Sequence, residues 1–300
     1  MERRTLLALG LGLAGSALVP GMRWGSPDEV VADAERLEAA ADADPVGMAP
    51  RARANLRDVE LLLATSPPWW RTALHRAAAL SALAAVYSWY GGAAVGDLLD
   101  AAALHAEAAR DGPLRARALV NRVYPTLPAD DVACPDAAAV YRRAVWATGS
   151  ARAAGITRAR CRGVLAGEHA ARGDERGALM ELEAADVDAS SGPPGELTYA
   201  AARRLTVLRR LGRVGEADRE AAAALLGSPY QTTFVLCDLA RLRAATGDLD
   251  AAAAHLEEAY LLARDQRLTA RVPRILAVRR DLPSDATPVR RLDDVLRRGA

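Results

Sequence analysis

From Phe234 to Arg267 apolar residues recur at helical spacing on either side of a single break, and few folds accommodate that pattern. Leu236, Leu239, Ala240 and Leu242 mark one helix, Gly247-Asp248 interrupts it, and Leu249, Ala252, Ala253, Leu256, Ala259 and Tyr260 mark a second. The pattern is that of a helical hairpin. Ala240 and Ala252 are small where two antiparallel helices cross, and Gly247 can take the left-handed conformation that closes a helix at low cost.

The same offsets return upstream. Against Ala240, Gly247, Ala252, Leu256 and Ala259, one earlier stretch gives Leu205, Gly212, Ala217, Ala221 and Ala224. Another gives Ala166, Gly173, Ala178, Leu182 and Ala185, with Gly173-Asp174 repeating the turn dipeptide. The turn glycines are 35 and 39 residues apart, the longer interval holding the linker Ser190-Ser191-Gly192-Pro193-Pro194-Gly195. Leu205 stands where the other units have alanine, so wider helix packing is expected there. Further upstream, Ala85, Gly91-Gly92, Ala102, Ala106 and Ala109 repeat the order with a longer turn, and Leu114–Tyr124 with Asp136–Thr148 could pair across Pro125 and Pro128. The order of small residue, Gly-Asp turn and small residue resembles the tetratricopeptide repeat (TPR), a helix-turn-helix unit of about 34 residues. Units of that kind bury a shared core only by stacking. The expected fold is therefore all-α, a TPR-like α-solenoid of stacked antiparallel helix pairs.

Composition agrees with helices and narrows the function. Hydrophobic residues make up 51% of the chain, mostly alanine and leucine, with one phenylalanine and only Ile156 and Ile275 as isoleucines. Strands draw on β-branched and aromatic residues, and no useful stretch alternates with period two. There is no lysine, so every basic residue besides the four histidines is arginine; basic and acidic counts nearly cancel at +1. That balance lacks the net positive field of non-specific nucleic-acid binding, and no direct nucleic-acid contact is expected. Cys134, Cys161 and Cys237 are widely separated and read as buried free thiols; His75, His105, His169 and His255 sit in no metal or catalytic motif. Gly163 and Gly167 read as a close helix contact and not as a phosphate loop. No enzymatic activity, cofactor or metal is expected.

Residues 1–25 form a separate segment. Arg3-Arg4 precedes an uncharged run from Thr5 to Met22, which resembles a twin-arginine export signal but lacks an Ala-x-Ala cleavage site. The run is glycine-rich and barely long enough to span a bilayer, so no stable membrane span is expected. Residues 26–300 form the repeat domain. Ser26-Pro27-Asp28-Glu29 announces its first helix by a capping box, with Val30, Ala34, Leu37 and Ala41 as the apolar stripe. A second helix runs from Pro50 to Thr65. Trp69 and Trp70 open a third that ends in Tyr87, Ser88, Trp89 and Tyr90, an aromatic group read as core. After the Leu282–Pro288 loop, Thr287-Pro288 starts a closing helix with Val289, Leu292 and Val295, which caps the stack.

The Arg-Arg segment, the hairpin series and the ending Thr287-Pro288-Val289-Arg290-Arg291-Leu292-Asp293 together resemble the C-terminal helical-repeat region of XRE-type helix-turn-helix transcriptional regulators of high-GC bacteria. In that family a DNA-binding domain precedes the apolar segment, whereas here the segment opens the sequence. The resemblance implies a regulatory, cytoplasmic sensor half that binds a peptide or protein, or a chain whose start lies further upstream. The alternative is a helical binding protein exported through Arg3-Arg4.

In a TPR hairpin the first helix lines a concave groove, and the stripe lies six and three positions before the crossing residue and one, four and five after it. Applied here, it comprises Phe234, Cys237, Arg241, Ala244 and Ala245; Tyr199, Ala202, Thr206, Arg209 and Arg210; and Arg160, Gly163, Gly167, Ala170 and Ala171. Small residues would floor the groove. Arg160, Tyr199, Arg209, Arg210 and Arg241 are the expected ligand contacts, and because guanidinium groups grip carboxylates bidentately, the expected partner is an acidic peptide or chain terminus.

Overall fold

The computed structural model describes residues 24–123, 135–148, 155–190 and 194–299, which form fourteen α-helices and, among the described residues, no strand. The Arg3-Arg4 segment, Cys134, Pro125 and Pro128 lie outside them. Of the described residues, 24–87 and 96–115 make one compact unit, and 88–95 with 116–299 make a second.

In the first unit, α1 (Pro27–Ala43), α2 (Ala49–Thr65) and α4 (Gly96–Ala108) all pack against α3 (Arg71–Val86). Every residue of α3 from Ala77 to Val86 is buried, as expected of a helix apolar all round. Ser26 caps α1 by accepting from the Glu29 N–H at 3.3 Å; the Glu29 carboxylate reaches back one residue further than a standard capping box, to the Gly25 N–H at 2.7 Å. Val30, Ala34, Leu37 and Ala41 are all buried, and inside the unit the Asn55 amide donates to Ser81 Oγ at 2.8 Å. Trp69 and Trp70 form a 3-10 turn before α3, with Trp70 buried and Trp69 exposed.

The second unit contains the predicted series. The pairs are α7 (Gly155–Ala171) with α8 (Glu175–Ala189), α9 (Pro194–Arg210) with α10 (Val214–Ala224), and α11 (Pro229–Ala245) with α12 (Leu249–Asp265). They stack in chain order: α9 packs on α7 and α8, and α11 on α9 and α10. Before them, α5 (Gly112–Val123), from Ala116 on, and α6 (Pro135–Thr148) share a core with α7 through Ala116, Val120, Tyr141, Cys161 and Leu165. After them, α13 (Val272–Arg280) and α14 (Thr287–Gly299) close over α12, with Val289 and Leu292 buried.

Three turns share one device. Gly173, Gly212 and Gly247 have φ of 74°, 73° and 82°, and the N–H after each returns to a carbonyl five residues earlier, at 2.9 to 3.0 Å. This is a Schellman closure, and only glycine enters it without strain. Asp174 and Asp248 then cap the next helix by accepting from the N–H groups of Gly177 and Ala251. The Gly177 N–H, and after it His169, hold the Asp174 carboxyl below the usual carboxylate range. Arg213 takes that place in the middle turn without capping and instead reaches Glu216 at 2.6 Å. Leu205, the large residue at a crossing point, is fully buried among Ala201, Leu208, Ala217 and Leu239. Each Leu so buried contributes about 1.5–3 kcal/mol.

Two consequences can be measured. A Cβ at Gly247 meets nothing within 4 Å, so Gly247→Ala isolates the backbone term: chemical denaturation should show a loss of about 1–2 kcal/mol, and Gly247→Asn a smaller one. The second concerns His75 on α3 and His105 on α4, whose Nδ1 atoms are 2.9 Å apart, while His105 Nε2 lies 3.4 Å from Glu60 of α2. Only one proton fits between the two Nδ1 atoms. Burial, then His105 and Arg71, lower the His75 pKa from 6.5. A histidine depressed in the folded state leaves stability intact above its unfolded value and withdraws it as pH falls below that value. The thermal midpoint should therefore drop between about pH 7 and about pH 5, and His75→Gln should flatten that slope.

Candidate functional site

Along α7, α9, α11 and the chain after α12, guanidinium groups and aromatic rings alternate. Arg160 of α7 lies 5.5 Å from the Tyr199 ring of α9, and Arg203 of α9 lies 5.1 Å from the same ring and 5.2 Å from Phe234 of α11. Arg203 Nε also donates to the Tyr199 hydroxyl at 2.9 Å. Arg274 of α13 stacks on Phe234 at 4.1 Å. Arg271, just before α13, faces Tyr90 at 5.1 Å, Phe234 at 5.8 Å and Tyr230 at 5.9 Å; Tyr90 and Tyr230 are themselves 4.7 Å apart. Arg160, Tyr199, Arg203, Phe234 and Arg271 are all half-buried, so each keeps part of its surface in water. A guanidinium over a ring face gains quadrupole attraction.

Beneath the row lies a buried charge. Asp238 of α11 is 0% exposed, and its Oδ1 accepts from Arg274 at 2.9 Å and lies 3.2 Å from Arg209 Nη2; the Thr206 hydroxyl is 2.5 Å from its Oδ2. One carboxylate thus ties α9, α11 and α13 together. Burial pushes the neighbouring Cys237 thiol up to about 11 and the Cys161 thiol up to about 12, so both are inert thiols.

The glycines expected to floor a groove are covered. The Arg203 stem lies over Gly163, where an added Cβ would stand 3.0 Å from its Cγ, and Arg210 lies over Gly167 and donates to its carbonyl at 2.7 Å. Thr206, Ala202 and Cys237 are buried too. The missing side chains make room for the Arg203 stem and the Arg210 head of the next repeat, which is why no bare floor forms at those positions.

Of the expected ligand contacts, Arg160 and Tyr199 come together on the half-buried face. Arg209 and Arg210 hold Asp238 and the Gly167 carbonyl, and Arg241 pairs with Asp281 at 3.3 Å with its side chain 12% exposed. Sequence reasoning did not single out Arg203, Arg271, Arg274 or Asp238. For Asp238 the signal was present: it is the one charged residue between Thr232 and Ala240. Arg203 carries a fainter signal, seven residues and so two helical turns before Arg210. The closeness of His75 to His105 has no counterpart in local spacing.

No family model matches the chain, and no curated protein or solved structure matches it significantly. Among the described residues no helix is long and apolar enough to cross a membrane, and no group of three or more His, Cys, Asp or Glu side chains is placed to hold a metal.

Replacing Asp238 by alanine strands two arginines in low-dielectric surroundings. Breaking a buried pair this way costs about 3–5 kcal/mol, so Asp238→Ala should lower the free energy of unfolding by that order, measured in urea. Asp238→Asn, which keeps acceptors for Thr206 and one arginine, should lose less.

Proposed function

We propose that this chain is a non-catalytic, TPR-like helical-repeat module that binds an extended acidic peptide or protein segment on the face formed by α7, α9 and α11, in a regulatory and cytoplasmic setting. The observation that carries the reading is the alternation Arg160, Tyr199, Arg203, Phe234, Arg271 across successive repeats. Contact with a ring restrains each guanidinium before a ligand arrives, so less side-chain entropy is lost when a carboxylate docks. The rings add surface on which a peptide backbone can lie. The chain as a whole carries only +1, which favours a short acidic segment over a polyanion. The regulatory and cytoplasmic setting rests on the resemblance of the hairpin series and the Thr287–Asp293 ending, the start of α14, to the sensory region of XRE-type regulators.

Fluorescence anisotropy with a labelled glutamate-rich peptide tests the reading. Charge-assisted hydrogen bonds are worth about 1.5–3 kcal/mol each, so Arg160→Ala with Arg203→Ala should weaken binding at least about tenfold and make the remainder less salt-sensitive. Arg290→Ala with Arg298→Ala removes the same charge from the exposed side of α14 and should leave affinity nearly unchanged. Equal losses in both double variants would reduce the effect to net charge and discard the face.

A further inference from the structure

The first unit holds a pair of histidines that the peptide face does not use. His75 of α3 and His105 of α4 bring their Nδ1 atoms to 2.9 Å, and their ring centres are 5.2 Å apart, so the two nitrogens point at each other. Each is the other's partner across one narrow gap. On the far side of His105, Nε2 lies 3.4 Å from Glu60 Oε1 on α2. An ionised carboxylate only accepts, so Nε2 carries the proton there and Nδ1 of the neutral ring keeps its lone pair. His75 reaches the same condition by moving its proton from Nδ1 to Nε2, a change of tautomer that releases no proton. Two lone pairs then face the gap.

That arrangement has the dimensions of a metal site. A tetrahedral ion at about 2.0–2.1 Å from each imidazole nitrogen keeps two such nitrogens about 3.3 Å apart, with the ring centres behind them about 5.2 Å apart. The ring centres of His75 and His105 already stand at that separation, and the nitrogen gap has only to open from 2.9 Å to about 3.3 Å. A carboxylate behind a ligating imidazole fixes the tautomer and the ring orientation and raises the basicity of the ligand nitrogen, which is the place Glu60 takes behind His105. His105 is buried, whereas His75 is half-buried and keeps part of its surface in water.

The surrounding charges narrow the choice of ion. Arg71, one turn earlier on α3, repels a cation beside His75; Arg76 is engaged by Glu35 and Asp111 at 3.2 and 3.8 Å. Glu60 offsets Arg71, so nitrogen–metal bonds and not the local field must hold the ion. Imidazole suits zinc, copper and nickel, while calcium and magnesium demand oxygen.

We propose that His75 and His105 form a two-nitrogen site for a zinc-type divalent cation, with Glu60 as the outer carboxylate of His105. Among the described residues no third His, Cys, Asp or Glu completes the set, so water fills the remaining positions and the ion is exchangeable. Bound there, it ties α3 to α4, and through Glu60 to α2, where a single shared proton otherwise does so. The site is independent of the peptide face.

The full chain, stripped with a chelator and titrated with zinc chloride against a chromophoric competitor, tests this. The wild type should take up zinc and show the imidazole nitrogen resonances of His75 and His105 moving to the metal-bound Nδ1 pattern; calcium and magnesium should move neither. His75→Gln removes one of two ligands from a half-buried position and should weaken uptake by at least about tenfold, and Glu60→Gln, at an exposed side chain, by about tenfold or more. His169, 2.7 Å from Asp174, is the control: His169→Gln should leave the affinity unchanged. No zinc uptake by the wild type, equal affinity in the wild type and His75→Gln, or a loss confined to His169→Gln would overturn the site, the helical dichroism of each variant being unchanged.

Discussion

A carboxylate with no access to water governs the second unit. Asp238 cannot remain charged in that position without donors, and its donors come from elements far apart in sequence: Thr206 and Arg209 on α9, and Arg274 on α13. Each must be in register for the charge to be tolerated. Stacking α11 on α9 one turn out of step would leave the carboxylate or two guanidiniums uncompensated. The same constraint shapes the surface. Arg274 is held by Asp238 on one side and lies against Phe234 on the other, so the buried pair fixes the ring that Arg203 and Arg271 also face.

Arginine does here what lysine could not. Its planar head can stack on a ring, bond a carboxylate and leave donors in its plane, and its stem can lie over a glycine of the neighbouring helix. The Arg203 stem does this over Gly163, and the Arg210 head lies over Gly167. Away from the face, arginines stitch neighbouring helices: Arg162 reaches Glu181 and Asp188 of α8, Arg204 reaches Asp186 of α8 and Glu220 of α10, and Arg243 reaches Asp218 of α10. Such half-exposed pairs add little stability individually, but they disfavour wrong neighbours in an alanine-rich stack whose apolar surfaces are nearly alike.

What the sequence made legible is what short-range geometry determines. Gly173, Gly212 and Gly247 could be read as left-handed turn residues because only glycine enters that conformation freely, and all three do. Ala166, Ala240, Ala178, Ala217 and Ala252 could be read as crossing points because close helices exclude larger side chains, and all are fully buried. The face was half legible. Position in the repeat placed Arg160 and Tyr199 together, but it assigned Arg209, Arg210 and Arg241 to a ligand when carboxylates and a carbonyl within the fold claim them. Local spacing does not reveal which acceptor waits on the next helix. The pairing of His75 with His105 is invisible for the same reason, since it depends on how α4 lies on α3.

The two units also differ in what can change their charge. In the first unit burial and His105 lower the pKa of His75, whereas the face of the second is made of guanidiniums that stay protonated wherever the protein is folded. Its positive character is therefore a fixed property of the fold. On the acidic-peptide reading proposed above, the pH response of these contacts follows the ligand, whose carboxylates lose charge near their ordinary values. Salt acts differently, because half-buried cations are screened less than exposed ones. If an acidic peptide binds there as proposed, the salt dependence of its binding measures how deeply its carboxylates are buried, and a shallow dependence is the mark of docking onto the face instead of loose attraction to its rim.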